Sequence, residues 1–166
     1  MNDAFYEHFV AKKSGVSSIL KRILLIVGIF FLTIFLSNFI GVFAFTLGLL
    51  GIILVVFLVF PYLKVEYEYS LLNHDLDISA IYNQEKRKKK AELDLQKAEI
   101  IAPTASPRLA HYNPVKTMDF SSGNKNAKTY SIMTSINDTL TNIIIEPDEA
   151  MLSHMRSWMG SKMYLD

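Results

Sequence analysis

The 166-residue sequence contains no cysteine, so neither a disulfide bond nor a thiolate metal ligand is available to it. The absence of cysteine agrees with a reducing compartment. The four histidines lack the short mutual spacing that zinc ligands usually have; they are His8, His74, His111 and His154. We therefore expect no metal and no cofactor.

Motifs for catalysis are also missing. The sequence has no GxSxG elbow, no P-loop and no GxGxxG turn. The stretch DLDISAIYNQEK places Asp75, Asp77 and Ser79 at alternate positions, but a calcium loop would need glycine where Ala80 stands and glutamate where Lys86 stands. Glu66 and Glu68 alternate with tyrosines and are expected on a solvated strand face. We predict no catalytic residues and no enzyme.

Charged side chains are absent from residue 23 to residue 63. One straight helix of about 40 residues would be about 60 Å long, twice the hydrocarbon core of about 30 Å, so a single span does not fit. The segment SNFIG, Ser37–Gly41, contains the only turn-forming residues near the middle. We predict a two-helix transmembrane hairpin over residues 20–63, with spans at about 20–38 and 42–62.

Three glycines lie in the predicted spans: Gly28, Gly48 and Gly51. Small residues let helices approach closely in membranes, so these positions are candidates for helix packing. The alternative is that the glycines are merely tolerated in lipid.

Basic residues flank the predicted hairpin on one side only. Lys12, Lys13, Lys21 and Arg22 precede the first span and Lys64 follows the second, whereas the turn between them carries no charge. Because cytoplasmic flanks are enriched in lysine and arginine, we expect a multi-pass cell-membrane protein with both termini in the cytoplasm.

The first 19 residues are interpreted as an amphipathic segment at the membrane interface. DAFYEHFVAKKSG predicts a short helix with an apolar face that stops at Gly15. The candidate anchors at the interface are Phe5, Phe9, Lys12, Lys13, Lys21 and Arg22.

After residue 63 the pattern changes to strict alternation. VEYEYSLL, LDISAIY and AELDL each place apolar residues at every second position, which is typical of half-buried strands. VKTMDF, KTYSIMTSI and TLTNIII continue the series, and EPDEAMLSHMRSWMG changes to helical spacing. We predict six or seven antiparallel strands in meander order and a C-terminal amphipathic helix, forming an α+β domain over residues 64–166.

The stretches VEYEYSLLNHDLDI, AELDLQKAEII and IIIEPDEAMLSHM resemble those of bacterial pleckstrin-homology-like domains on small membrane proteins with two preceding helices. The MNDAFYEHFV start, followed by a hairpin and VEYEY, also resembles an uncharacterised family of such proteins. The resemblance implies a pleckstrin-homology-like antiparallel β-barrel or sandwich on a membrane anchor, with no assigned catalytic activity.

Five adjacent cations, Lys86, Arg87, Lys88, Lys89 and Lys90, are expected at the connection between two strands. Three interpretations are open: contact with the anionic inner leaflet, a solvated turn, or contact with an acidic partner. Nucleic acid is not expected, because residues 64–166 carry 13 basic and 14 acidic residues and the basic run has no interleaved aromatics.

The sequence therefore favours a membrane protein that displays a cytoplasmic binding or scaffold domain, with an unknown protein partner. The alternative is an accessory or regulatory subunit of a larger transport or assembly complex. From residue 23 to residue 61 the predicted spans contain no ionisable residue, which argues against an independent transporter, and homo-oligomers remain open.

Overall fold

The computed structural model describes residues 5–13, 16–60 and 63–165. Residues 1–4, 14–15, 61–62 and 166 lie outside the described residues, and so does the predicted helix stop at Gly15. The chain forms two compact units. The sheet unit comprises Met1–Lys13, Glu66–Ile81 and Arg87–Asp166, and the helix unit comprises Ser14–Val65 and Tyr82–Lys86.

The helix unit contains two apolar helices, α1 (Val16–Ile40) and α2 (Phe43–Leu54), and α2 continues as a π-helix over Val55–Val59. No proline interrupts α1, which runs on until glycine permits a turn. Gly41 adopts a φ of +60°, which side chains other than glycine disfavour, and its N–H donates to the Ser37 carbonyl at 3.0 Å.

The two helices pack closely where α2 has glycine. A Cβ added at Gly48 would overlap the Thr33 side chain, and one added at Gly51 would lie 3.7 Å from Ile29. A Cβ at Gly28 would meet nothing within 4 Å. The close approach of α1 and α2 therefore depends on Gly48 above all.

The first sheet of the sheet unit contains β1 (Phe5–Ala11), β2 (Val65–Leu72), β3 (Asp75–Tyr82) and β4 (Lys86–Asp94) in that spatial order. Its inner face is formed by the alternating residues that the sequence predicts. Tyr69, Leu71 and Ile78 are fully buried there. The burial of these large side chains stabilises this half of the domain.

The N-terminal segment corrects the prediction of a helix. Residues 5–11 form β1, which pairs antiparallel with β2 so that Phe9 faces Glu68 and Ala11 faces Glu66. The segment fits both periods, because its apolar residues recur four apart and also alternate. Pairing with β2 decides in favour of the strand, which turns Val10 inward and Phe9 outward. The domain boundary at residue 64 is therefore wrong, since β1 belongs to the domain.

The second sheet has the order β5-β7-β8-β6, formed by β5 (Ile100–Pro103), β6 (Lys116–Asp119), β7 (Tyr130–Ile136) and β8 (Thr139–Ile145). β7 and β8 form a hairpin through Asn137 and Asp138, both with positive φ, as a two-residue turn requires. β6 lies parallel to β8, so the predicted meander order is wrong here. The long connections on both sides of β6 allow it to cross over to the far edge.

The C-terminal helix α3 (Glu149–Met159) confirms the predicted change of period. The Asp148 carboxylate caps it by accepting from the Met151 N–H at 2.8 Å, and Gly160 ends it with a φ of +53°. One face of α3 is buried in the domain core through Met151, Met155 and Met159.

Candidate functional site

The five cations of the basic run lie on strand β4 and not in a turn. The turn before them is formed by Asn83 and Gln84, which both have positive φ, of 54° and 58°. The run therefore begins directly after Glu85, at Lys86, and extends along the edge strand of the first sheet.

Two cations of the run bind acids of the same sheet, which lie on β2, β3 and β4. Arg87 pairs with the Glu68 carboxylate, and Lys89 lies 3.0 Å from Asp77 and 2.7 Å from Glu92. Hydrogen bonds to Glu92 and to Asp77 raise the pKa of the Lys89 ammonium, so it stays charged.

Glu68 departs from the prediction of a solvated acid. Its side chain is only 1% exposed, and its second carboxylate oxygen has no hydrogen-bond partner among the described residues. Arg87, which is 59% exposed, lies over it. A buried carboxylate is stable only beside a cation or hydrogen-bond donors, so Arg87 stabilises Glu68 within the sheet.

The remaining cations of the run differ from this pair. Lys86 and Lys88 are exposed, and no hydrogen bond or ion pair holds their ammonium groups within the described residues; Lys90 is half-buried. The run is thus divided between cations that neutralise the sheet's own acids and cations that face solvent.

The turn before β4 belongs to the helix unit. The Asn83 N–H donates to the Lys64 carbonyl at 3.3 Å, which ties the turn to the segment that follows α2. At the same end of the helix pair, the Arg22 guanidinium lies over the Phe60 ring at 5.4 Å. We use the name basic collar for the four basic residues of the helix unit: Lys21, Arg22, Lys64 and Lys86.

Large apolar side chains are exposed around both helices. Phe39, Phe43 and Phe57 are 72%, 77% and 73% exposed, and many Leu, Ile and Val side chains between them are exposed as well. Within the described part of the chain, Ser18–Ile40 is long and apolar enough to cross a membrane, whereas Phe43–Val59 is shorter. Surfaces of this kind are typical of chains that contact lipid or another protein.

The other predicted anchors lie in the sheet unit. Phe5 and Phe9 are 59% and 52% exposed. The Lys12 ammonium donates to the Tyr67 hydroxyl at 3.1 Å, and the Lys13 N–H donates to the Ser122 carbonyl at 2.8 Å. These two contacts attach the end of β1 to the domain, and interfacial anchoring by the four residues stays a prediction.

A groove of about 510 Å³ runs beside β1. It is lined by His8–Lys13 on one side and by Ser122, Asn124 and Glu146 on the other. Since β1 is the end strand of its sheet, this groove borders a strand edge. Such an edge offers backbone donors and acceptors to a binding partner.

Two adjacent residues at the tip of the β2–β3 hairpin, His74 and Asp75, meet Asp94 from the end of β4. His74 Nδ1 lies 3.1 Å from the Asp94 carboxylate and 3.3 Å from that of Asp75. Their donor atoms lie within 4.8 Å of one another, so they could hold a divalent cation. The sequence did not indicate this cluster, because 20 residues separate His74 from Asp94. The Asp94 carboxylate also accepts from the Gln96 N–H, so the contacts have a structural explanation.

A second titratable cluster attaches β1 to α3. The Tyr6 hydroxyl donates to Asp148, and His8 Nδ1 lies 3.4 Å from the same carboxylate. Burial opposes ionisation of Asp148, but the hydrogen bonds from Tyr6 and from the first turn of α3, together with His8, lower its pKa. Each of these groups already has a structural partner.

A comparison with protein families agrees with this architecture. The family described as Bacterial PH-like domain (DUF6106), where PH stands for pleckstrin homology, matches residues 2–165. No curated protein and no solved structure matches the chain. The match covers β1, both apolar helices, the two sheets and α3, and the predicted relationship to bacterial pleckstrin-homology-like domains is confirmed. The chain belongs to the DUF6106 family of bacterial PH-like domains.

Proposed function

We propose that α1 and α2 cross the cell membrane as a hairpin and hold the PH-like sheet unit at its cytoplasmic face as a binding and scaffold module. The observation that carries this proposal is the exposed apolar surface around both helices. Exposed to water, a surface of this size would favour aggregation, whereas lipid would cover it.

The lengths of the helices support a hairpin with unequal arms. The 25 residues of α1 extend about 37 Å, enough for a hydrocarbon core of about 30 Å. The 17 residues of Phe43–Val59 extend about 25 Å, which a membrane accommodates by thinning locally or by drawing up flanking basic side chains.

The basic collar supports the orientation. The helix ends near Arg22 and Phe60 carry the cations, and the turn at residues 41–42 is uncharged. The positive-inside rule then places both termini in the cytoplasm.

The sheet unit supports a proposed binding role rather than catalysis. Both clusters of titratable groups described there hold strands or turns together. The groove beside β1 provides a strand edge with polar side chains for a protein segment. Membership of the PH-like family supports the same class of function.

The test uses the absence of native cysteine. Single cysteines at Val42, which is 80% exposed in the turn, and at Lys125, which is exposed in the sheet unit, are treated with a membrane-impermeant maleimide on intact cells. We expect labelling of Val42→Cys without permeabilisation and of Lys125→Cys only after it. Labelling of Lys125→Cys on intact cells would refute the orientation. Release of the chain from membranes by alkaline carbonate would refute the anchor.

A further inference from the structure

We propose that the turn between β3 and β4 rests on the inner leaflet, where Lys64 and Lys86 of the basic collar bind anionic lipid head groups. This inference rests on the proposed function and adds a lipid contact at the membrane surface, outside the apolar helices. The proposed binding partner of the two lysines is a membrane surface that carries lipid phosphates.

The charge of the helix unit is the first argument. Its four basic residues form the collar, and Glu85 is its one acidic residue. The sheet unit, by contrast, contains both signs in similar number. Positive charge therefore accumulates on the unit that carries the apolar helices, and an anionic leaflet is complementary to it.

The position of the turn is the second argument. Residues 82–86 belong to the helix unit, and the Asn83 N–H bonds the carbonyl of Lys64. Lys64 follows the last described residue of the apolar segment, Phe60, by only four positions. Four residues extend at most about 14 Å, so Lys64 and the turn bonded to it lie within reach of the leaflet surface.

The state of the side chains is the third argument. The ammonium groups of Lys64 and Lys86 are exposed, and no hydrogen bond or ion pair holds either within the described residues. Lipid phosphates are acceptors of the kind these donors lack.

Arg87 and Lys89 do not take part in this contact. Both are bonded to acids of the sheet, and withdrawal of Arg87 would leave the buried Glu68 carboxylate without its cation. The contact thus uses the first residue of the basic run and Lys64, rather than five adjacent cations.

The experiment measures acylation rates of individual lysines by mass spectrometry. The full chain is placed in nanodiscs of phosphatidylcholine alone or of phosphatidylcholine with phosphatidylglycerol. An ammonium near an anionic surface is stabilised relative to the free amine, so we expect Lys64 and Lys86 to react about fivefold more slowly in the anionic discs. Lys125 and Lys128, exposed in the sheet unit, serve as internal controls and should keep their rates. High salt should abolish the difference.

Two results would overturn the inference. Equal rates for Lys86 in both discs would show that the turn does not contact the leaflet, and so would slowing of Lys64 alone. Slowing of all four lysines to the same degree would indicate a general surface effect and would likewise contradict it. These outcomes are separate from failure of the anchor, which would appear as release by carbonate or as loss of the chain from the discs.

Discussion

At the scale of single residues, the pairing of Glu68 with Arg87 gives one cation of the basic run a role inside the sheet. The acid is buried on β2, and the cation that covers it comes from β4, two strands away in the sheet. Removal of one partner exposes the other to an unfavourable environment, whereas removal of both does not. The pair therefore behaves as a unit in mutagenesis.

We expect Arg87→Ala to destabilise the domain by about 1–2 kcal/mol, less than for a fully buried pair because Arg87 is 59% exposed. The double variant Glu68→Gln with Arg87→Ala should recover most of the loss. Thermal unfolding of the full chain in detergent, followed by the fluorescence of Trp158, the single tryptophan, provides the measurement. Lys88→Ala is the matched control and should stay within about 0.5 kcal/mol of the parent. Equal losses for Arg87→Ala and Lys88→Ala would contradict the assignment.

Asp148 predicts a dependence of stability on pH. Its folded pKa lies below the ordinary value of 3.8, so its carboxylate contributes stability above that value, and the contribution is lost as pH falls through the folded pKa. Asp148→Asn keeps a side chain able to cap α3 but removes the charge. We expect the parent to be more stable than the variant at neutral pH and the difference to shrink below pH 3.8. A difference that is unchanged down to strongly acidic pH would show that the charge is irrelevant.

At the scale of elements, the contact between α1 and α2 depends on the absence of a side chain at Gly48. Gly48 lies against Thr33, whose hydroxyl is occupied by a hydrogen bond of 2.8 Å to the Ile29 carbonyl. Thr33 cannot yield without losing this bond, and a larger residue at position 48 must push the helices apart.

Gly48→Leu should lower the unfolding temperature of the helix pair by an amount equivalent to about 1–3 kcal/mol, as overpacking usually does. Gly28→Leu adds the same side chain to α1 where nothing lies within 4 Å, and it should be nearly neutral. The comparison is made in detergent by thermal denaturation. If both variants lose stability equally, helix propensity or detergent contact, and not packing, controls the effect.

The sequence predicted those elements whose local pattern and tertiary setting agree. The strands at β2 and β3 and the helix α3 follow from alternation, capping residues and Gly160. β1 was misassigned because its seven residues satisfy two periods and only the partner strand distinguishes them. The place of β6 beside β8 was missed because long connections leave strand order undetermined by local pattern.

The sequence predicts which cations belong to the candidate site, but it does not predict which of them pair with acids of the sheet. Pairing across strands decides which lysines are engaged, and that depends on register that the sequence does not display. The His74 cluster likewise arises from a hairpin tip meeting the end of a strand 20 residues later.

At the scale of the whole molecule, the apolar helices are an insertion between two adjacent strands. The chain leaves the sheet at Ala11 and returns at Glu66, its direct neighbour in the β1–β2 ladder. The domain is therefore continuous in space although it is interrupted in sequence.

Replacement of residues 14–64 by a loop of about four residues should yield a soluble, folded domain, since short loops join antiparallel neighbours readily. Deletion of residues 1–64 removes β1 together with the Tyr6 and His8 contacts to Asp148, and this fragment should be much less stable. Circular dichroism and thermal unfolding distinguish the two variants. A fully stable 65–166 fragment would show that β1 is dispensable.

The neighbouring positions of Ala11 and Glu66 also impose an order on biosynthesis. β1 is translated first, yet its partner emerges about 55 residues later, a delay of about 3–11 s at about 5–20 residues per second. During this interval the nascent chain presents an unpaired strand while the apolar helices leave the ribosome. The first sheet can therefore close only after both apolar helices have been synthesised, so completion of the domain always follows emergence of the complete apolar segment.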